Sequence, residues 1–150
     1  MSYSKPMQNV RRLENIALIG FMGTGKSSVG RFIATELGFT FVDTDELIES
    51  RCGRRINDIF AQQGEPHFRG LERQLVTEME SWKKTVISTG GGLAANEANL
   101  ESLKSHALVV CLWASPEKIF DRVKNQSHRP LLHDADPLGK IRQLLASREP

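Results

Sequence analysis

The segment GFMGTGKS, residues 20–27, has the spacing G-x-x-x-x-G-K-[ST] of a phosphate-binding loop. Its glycines let the backbone turn tightly, so that successive N–H groups converge on phosphate oxygens. A helix predicted to begin near Lys26 points its positive end at the same anion. Lys26 can reach the β- and γ-phosphates, and the Ser27 hydroxyl can ligate Mg²⁺. We therefore predict a nucleotide site rather than a glycine-rich turn that only caps a helix.

Two carboxylates, Asp43 and Asp45, follow the second short apolar run of the chain. Residues two apart in extended backbone point the same way, and at the carboxyl edge of a parallel sheet they would face the phosphate loop. One carboxylate could hold the water shell of Mg²⁺, and the other could take the proton of an attacking hydroxyl. The alternative is helix N-capping, because both residues precede a helical stretch at 46–50. Beside a phosphate loop we favour the functional interpretation.

Arg69 and Glu72 lie three residues apart, so a helix places both on one face and lets Glu72 hold the guanidinium. A preorganised arginine suits two-pronged recognition of a substrate carboxylate, whereas a solvated surface ion pair is the alternative. Three glycines at residues 90–92 follow the third apolar run and would let a ligand lie against bare backbone, unless they form only a flexible turn. These residues predict a small, hydroxylated, anionic phosphate acceptor.

The elements that must position these residues are short apolar strands that alternate with stretches of helical periodicity. Such strands predict a three-layer α/β fold with a parallel sheet covered on both faces. We predict strands at residues 16–19, 39–42, 86–89 and 108–113. We predict helices at residues 26–37, 56–63, 65–82, 97–104, 116–124 and 137–147.

Composition agrees with an ordinary globular protein: the chain has 150 residues, of which 39% are hydrophobic and 25% charged. A net charge of +2 is too small for electrostatics alone to argue for a nucleic-acid or membrane partner. The longest apolar stretch, near residues 107–114, is far shorter than the about 20 residues that cross a bilayer. We expect neither kind of partner.

The cysteines and histidines predict no metal centre of their own. Cys52 and Cys111 are too few for a disulfide framework, and the scattered histidines share no metal-ligand spacing with them. Cys111 lies inside an apolar run, so we expect it to be buried as a small hydrophobic residue. We expect a cytoplasmic protein with reduced thiols.

Taken together, the segments that carry this chemistry resemble the shikimate kinase family. The matching stretches run from Ile16 to Pro150: GFMGTGKSS, FVDTDELIE, GRRINDIFAQQGEPHFRGLE, VISTGGG, RVKNQSHRPLL and SREP. A superfamily shares the phosphate loop, whereas the Asp-x-Asp, Phe-Arg-x-x-Glu and Gly-Gly-Gly series in this order is specific to that family. The resemblance implies a P-loop NTPase fold with strand order 2-3-1-4-5. It also implies ATP-dependent phosphorylation of shikimate to shikimate 3-phosphate, in chorismate and aromatic amino-acid biosynthesis.

The resemblance further implies how the acceptor and the metal are held. Asp45 would bind the shikimate hydroxyls and act on the one that is phosphorylated. Arg69, Gly91 and Arg148 would hold the substrate, with the two arginines gripping its carboxylate. For Mg²⁺, Ser27 would be the direct ligand and Asp43 would act through water.

On the nucleotide side, the resemblance implies that Arg129 closes onto the ATP phosphates and that Arg122 lies near the adenine. Lys26, Asp45 and Arg129 would be the catalytic residues. The residues that bind ATP would be Gly23, Thr24, Gly25, Lys26, Ser27, Ser28, Arg122 and Arg129.

We expect residues 1–14 to form a polar arm and residues 15–150 to form one kinase domain, with a lid at about residues 125–135. Family members continue past the position of Pro150, so we expect the fifth strand to be missing from this chain. We also expect a monomer.

Two other functions remain open at this point. One is a different metabolite kinase of the same superfamily, such as a gluconate kinase. The other is a nucleotide-binding module without turnover. A panel of acceptors would separate the two kinases, and ATP binding without acceptor-dependent ADP release would favour the module.

Overall fold

The protein is described from a computed structural model, which covers residues 13–125 and 135–147. Its sheet is built from β1 (Asn15–Ile19), β2 (Thr40–Asp43), β3 (Thr85–Ser88) and β4 (Ala107–Cys111). The strands are ordered β2-β3-β1-β4, and all three pairings are parallel. The predicted α/β fold is confirmed, as is the order 2-3-1-4 for these four strands.

Helices flank the sheet at positions close to those predicted. They are α1 (Lys26–Leu37), α2 (Thr44–Cys52), α3 (Ile56–Gln63), α4 (Glu65–Met79), α5 (Glu97–His106), α6 (Pro116–Val123) and α7 (Pro137–Ala146). Helix α4 ends at Met79 rather than at residue 82, because the chain turns there to enter β3 through Lys84, which has a positive φ of 49°. Helix α2 is longer than the predicted stretch at 46–50 because it begins directly after β2.

Helix α1 lies tightly against the sheet and begins immediately after the phosphate loop. Gly25 precedes it with φ of 94°, and Gly38 ends it in the left-handed conformation that glycine favours at this position. A Cβ at Gly30 would fall 2.6 Å from the Phe41 ring of β2, so only glycine permits this close packing. The packing fixes the N-terminus of α1 beneath the loop.

The hydrophobic core lies on both faces of the sheet. On one face Leu18, Ala34 and Val86 pack between the strands and α1. On the other face a larger cluster joins the sheet to α2, α3, α4 and α5, with Ala17, Ile48, Ile59, Phe68, Leu75, Val76, Met79, Ile87, Leu93, Leu103 and Ala107. The two layers hold the strands rigidly and so fix the carboxyl edge that carries the predicted site.

Among the described residues, β4 is an edge strand, and it pairs with β1 alone. Leu108 and Val110 are exposed on it, and Trp113 beyond its end is 65% exposed. Cys111 is exposed as well, so its predicted burial is wrong. The reason is its place at the end of the edge strand, where it lines an open cavity of about 370 Å³ with Trp113.

At the amino edge of the sheet, the buried Asn15 side chain links three segments. Its amide nitrogen donates to the Trp82 carbonyl at 2.8 Å and to His106 Nδ1 at 3.0 Å. Its carbonyl oxygen accepts from the Thr85 amide at 3.1 Å. Because the Asn15 nitrogen can only donate, His106 Nδ1 must accept, and the ring proton lies on Nε2.

None of the helices in the described ranges combines the length and apolar character that a membrane-spanning segment needs.

Candidate active site

The carboxyl ends of the strands bring the predicted segments together around two adjoining cavities. One cavity, of about 370 Å³, is lined mostly by polar groups: Met22, Gly23, Gly25, Lys26, Ser27, Ser28, Asp43, Asp45, Ser88, Thr89, Gly90, Gly91 and Arg122. The other, of about 630 Å³, is lined by Met22, Asp45, Ile56, Asn57, Phe60, Ala61, Phe68, Arg69, Glu72, Gly90, Gly91 and Gly92. Asp45 and Gly91 line both cavities, so they lie where the two meet.

The phosphate loop has the backbone that its sequence predicts. Gly20, Gly23 and Gly25 all have positive φ, a conformation that side chains other than glycine rarely adopt. Lys26 is 9% exposed, and its Nζ donates to the Gly20 carbonyl at 2.6 Å and to that of Phe21 at 2.9 Å. The ammonium is thus held at the loop that would bind phosphate.

Two other members of the predicted ATP-binding set contact the loop itself. The Thr24 hydroxyl donates to the Phe21 carbonyl at 2.7 Å and therefore braces the loop from within. Arg122 Nη1 donates to the Gly23 carbonyl at 2.7 Å, which draws α6 to the loop. That Arg122 lies near adenine stays a prediction.

Asp43 uses its two carboxylate oxygens for different purposes. Oδ1 caps α2 by accepting from the Asp45 and Glu46 amides at 3.0 and 3.1 Å. Oδ2 accepts from the Ser27 hydroxyl at 2.8 Å, and Ser88 Oγ lies 3.3 Å from that hydroxyl. The structure therefore shows Asp43 as the cap of α2 and brings its second oxygen to Ser27, while its role at a metal stays a prediction.

The Ser27 and Asp43 oxygens are hard ligands that suit Mg²⁺, which is usually held by one or two protein oxygens together with substrate phosphates. Within the described ranges, no cluster of three or more His, Cys, Asp or Glu side chains forms a metal cage. The donor set therefore fits a metal that arrives with a nucleotide better than one that the protein binds alone.

Asp45 has a strongly perturbed ionisation. Burial first, and then the negative charges of Asp43, Glu72 and Glu49, raise the pKa of its carboxyl from 3.8 to about 6, with Lys26 acting in the opposite direction. Oδ1 of Asp45 is buried and accepts no hydrogen bond from the described residues. A raised pKa and a free acceptor oxygen are what a proton-accepting group needs.

Arg69 is held on α4 by two carboxylates. Its Nη1 donates to Glu72 at 2.6 Å, and its Nε and Nη2 donate to Glu65 at 3.2 and 3.1 Å. Burial lowers the pKa of Arg69, but the bonds to Glu72 and Glu65 outweigh this effect and raise it. Because Glu72 is only 1% exposed, the pair is not the solvated surface ion pair weighed as the alternative.

The three glycines at residues 90–92 run between Asp45 and Arg69. A Cβ at Gly90 would overlap Asp45 Oδ1, and one at Gly92 would fall 2.5 Å from Arg69 Nη1. Both charged groups therefore lie directly against bare backbone. At Gly90 and Gly92 the close approach of these side chains, and not a positive φ, favours glycine.

Some site residues were not predicted from the sequence. Asn57 and Phe60 of α3 line the larger cavity, and Thr44 holds the Gly90 amide at 2.8 Å. The apolar face of α3 was visible as a helix pattern, but nothing in the pattern showed which surface it covers. Arg129, Arg148, residues 1–12 of the predicted arm and residues 126–134 of the predicted lid lie outside the described residues.

The family model, the similar sequences and the similar structures all point to the same family. The family model described as shikimate kinase matches residues 22–150. A shikimate kinase from Thermodesulfovibrio yellowstonii is 45% identical over 138 residues, which cover 92% of this chain and 80% of that protein. The structure of the Acinetobacter baumannii shikimate kinase in complex with shikimate matches with a TM-score of 0.86 at 40% identity, covering 92% of this chain and 77% of that one.

A gluconokinase from Sinorhizobium meliloti matches less well, with a TM-score of 0.55 at 20% identity over 93% of this chain and 78% of that one. At that identity the likeness concerns the fold alone.

Proposed function

This chain belongs to the shikimate kinase family and catalyses the ATP-dependent phosphorylation of shikimate, and from its geometry we propose which residues carry out the transfer. The observation that carries the proposal is the position of Asp45, at the junction of a phosphate-loop cavity and an arginine-lined cavity. The gluconate alternative is not favoured, because the gluconokinase shares only 20% identity with the chain.

Shikimate occupies the larger cavity in this proposal. Arg69 faces its carboxylate, since a guanidinium preorganised by Glu72 can donate two parallel hydrogen bonds. Arg148 is proposed as the second arginine of this grip, on the family resemblance. The backbone of Gly91 supports the ring, because Gly91 lines both cavities.

Asp45 accepts the proton of the hydroxyl that attacks. With a pKa of about 6 it is mostly ionised at neutral pH and still basic enough to take a proton. The hydroxyl oxygen forms a bond to the γ-phosphorus as the bond from that phosphorus to the β–γ bridging oxygen breaks. The proton moves to Asp45, and ADP leaves with the bridging oxygen. Because such transition states are loose, the base contributes less than the electrostatic groups do.

The phosphate loop and Lys26 stabilise the charge that develops on the transferred group. Loop N–H groups and a buried ammonium are fixed donors, which are worth more in a water-poor site than in bulk solvent. We place Arg122 beside the nucleotide because it already contacts Gly23, and we place Arg129 on the phosphates by resemblance.

For Mg²⁺, we propose Ser27 as the direct ligand and Asp43 as a partner through water. The 2.8 Å hydrogen bond between them supports this assignment, because it shows both oxygens directed at one point of the phosphate cavity. When bound, Mg²⁺ offsets phosphate charge.

We propose residues 15–150 as one kinase domain with a lid at about residues 125–135, working as a cytoplasmic monomer. The free thiol of Cys111 is exposed, which suits a reducing compartment.

The test is ADP release with a panel of acceptors at a fixed ATP concentration. Shikimate should stimulate release strongly, whereas gluconate should leave the background rate unchanged. Equal stimulation by gluconate would support the other metabolite kinase. ATP binding without any acceptor-dependent release would support a module without turnover.

A further inference from the structure

Thr44, the first residue of α2, is fully buried between the two site carboxylates Asp43 and Asp45. Its hydroxyl oxygen accepts a buried hydrogen bond from the Gly90 amide, with an N···O distance of 2.8 Å. The two residues are 46 positions apart in the sequence. The bond therefore joins the end of β3 to the start of the helix that carries Asp45.

The bond holds the glycine segment, residues 90–92, which lies between the Asp45 carboxylate and the Arg69 guanidinium of the larger cavity. Gly90 packs against the Asp45 carboxylate and Gly92 against the Arg69 guanidinium, in both cases closely enough to exclude a Cβ. A shift of Gly90 away from α2 would open a gap beside Asp45 and move the surface on which Arg69 rests.

We propose that Thr44 is a positioning residue, whose hydroxyl holds the glycine segment against Asp45 and so fixes the burial of that carboxylate and its spacing from Arg69. The inference deepens the proposed function, since it rests on Asp45 as the proton acceptor. It assigns to Thr44 no contact with substrate.

The hydroxyl, not the shape of the side chain, performs this role. Valine matches threonine in size but offers no acceptor, so it would leave the Gly90 amide buried without a partner. Serine keeps the acceptor and loses only the methyl group. Thr44→Val and Thr44→Ser therefore separate hydrogen bonding from packing.

Kinetics supply the main readout. For Thr44→Val, kcat/KM for shikimate should fall by about 10-fold or more while KM for ATP changes less than about twofold. Thr44→Ser should stay within about threefold of wild type. Thr85→Val is the matched control: it makes the same change at a buried threonine at the other end of β3, so it should leave kcat/KM unaltered.

Amide hydrogen exchange of Gly90 completes the design, because it needs only the wild-type protein. The Gly90 amide should be strongly protected, and rapid exchange would overturn the proposal even if Thr44→Val does not fold. An unchanged kcat/KM in Thr44→Val, or a loss in Thr44→Ser equal to that in Thr44→Val, would overturn it as well. Absence of shikimate turnover in the wild type would instead refute the proposed function and leave the Gly90 exchange measurement valid.

Discussion

Arg69 and Glu72 form a 2.6 Å ion pair on α4 in which the carboxylate is almost completely buried. Glu65 binds the same guanidinium from an exposed position. The two carboxylates differ in burial, so they differ in how firmly they can fix Arg69. A buried partner loses little side-chain freedom on pairing and is poorly screened by salt.

Glu72→Gln should therefore weaken shikimate binding while leaving ATP binding unchanged. The amide keeps one acceptor oxygen but removes the charge, so we expect KM for shikimate to rise by about 10-fold. Glu65→Gln is the matched control and should change KM by less than about twofold. Equal effects of the two variants on steady-state kinetics would contradict the distinction between them.

Lys26→Ala should abolish turnover and leave the fold intact. The ammonium offsets phosphate charge in the transition state, an effect worth several kcal/mol in a water-poor site. Circular dichroism and thermal unfolding check the fold, and ADP release checks turnover. Activity above about a tenth of wild type would refute the assignment of the phosphate loop.

Asp45→Asn should lower kcat by roughly 10²–10⁴, nearer the low end because the transition state is loose. Folding raises the pKa of Asp45 from 3.8 to about 6, so ionisation of this carboxyl destabilises the folded protein. The free energy of unfolding is therefore highest below pH 3.8 and falls as the pH rises through about 6. The asparagine variant should therefore be more stable than wild type at pH 7–8, by up to about 3 kcal/mol.

Urea unfolding at several pH values measures this difference. The gain should shrink as the pH falls and disappear near the unfolded pKa of 3.8. A constant gain at every pH would show that it does not come from the Asp45 charge. An unchanged kcat in Asp45→Asn would show that Asp45 has no catalytic role and serves only in the first turn of α2.

His106 gives a pH dependence at the opposite end of the sheet. Burial lowers its pKa from 6.5, and Glu80 opposes this effect. A histidine with a lowered folded pKa favours folding above its unfolded pKa, so stability should fall as the pH drops below about 6.5. Protonation of Nδ1 would also remove the hydrogen bond to Asn15, because Nδ1 and the Asn15 amide nitrogen would then both be donors.

Urea unfolding of His106→Gln and of the control His67→Gln at pH 5 and pH 8 tests this prediction. The first variant should lose less stability on acidification than wild type does, whereas the exposed His67 should make no difference. The same slope for wild type and His106→Gln would refute the role of His106.

Local sequence patterns predicted most of the site. The phosphate loop, the two carboxylates and the glycines each follow a strand, and parallel strands bring such segments to one edge. The pairing of Arg69 with Glu72 followed from helical spacing alone. The order of the strands came from the family resemblance, because periodicity does not say which strands are neighbours.

The remaining features depend on contacts between distant parts of the chain. No sequence pattern predicts the hydrogen bond between Gly90 and Thr44, since threonine is common at the start of a helix. That one Asp43 oxygen caps α2 while the other accepts from Ser27 could not be predicted without the position of Ser27 in the fold. Cys111 was wrongly predicted to be buried because an apolar run does not reveal that its strand lies at a sheet edge.

The most direct test of the account is shikimate-dependent ADP release by the wild type and by Arg69→Lys. Lysine cannot make the two-pronged carboxylate contact, so KM for shikimate should rise by about 10- to 150-fold, corresponding to about 1.5–3 kcal/mol, while KM for ATP stays the same. That result would place the acceptor carboxylate at Arg69, across Gly91 from the phosphate loop. An equal loss for both substrates would contradict the account and make Arg69 and Glu72 a structural pair.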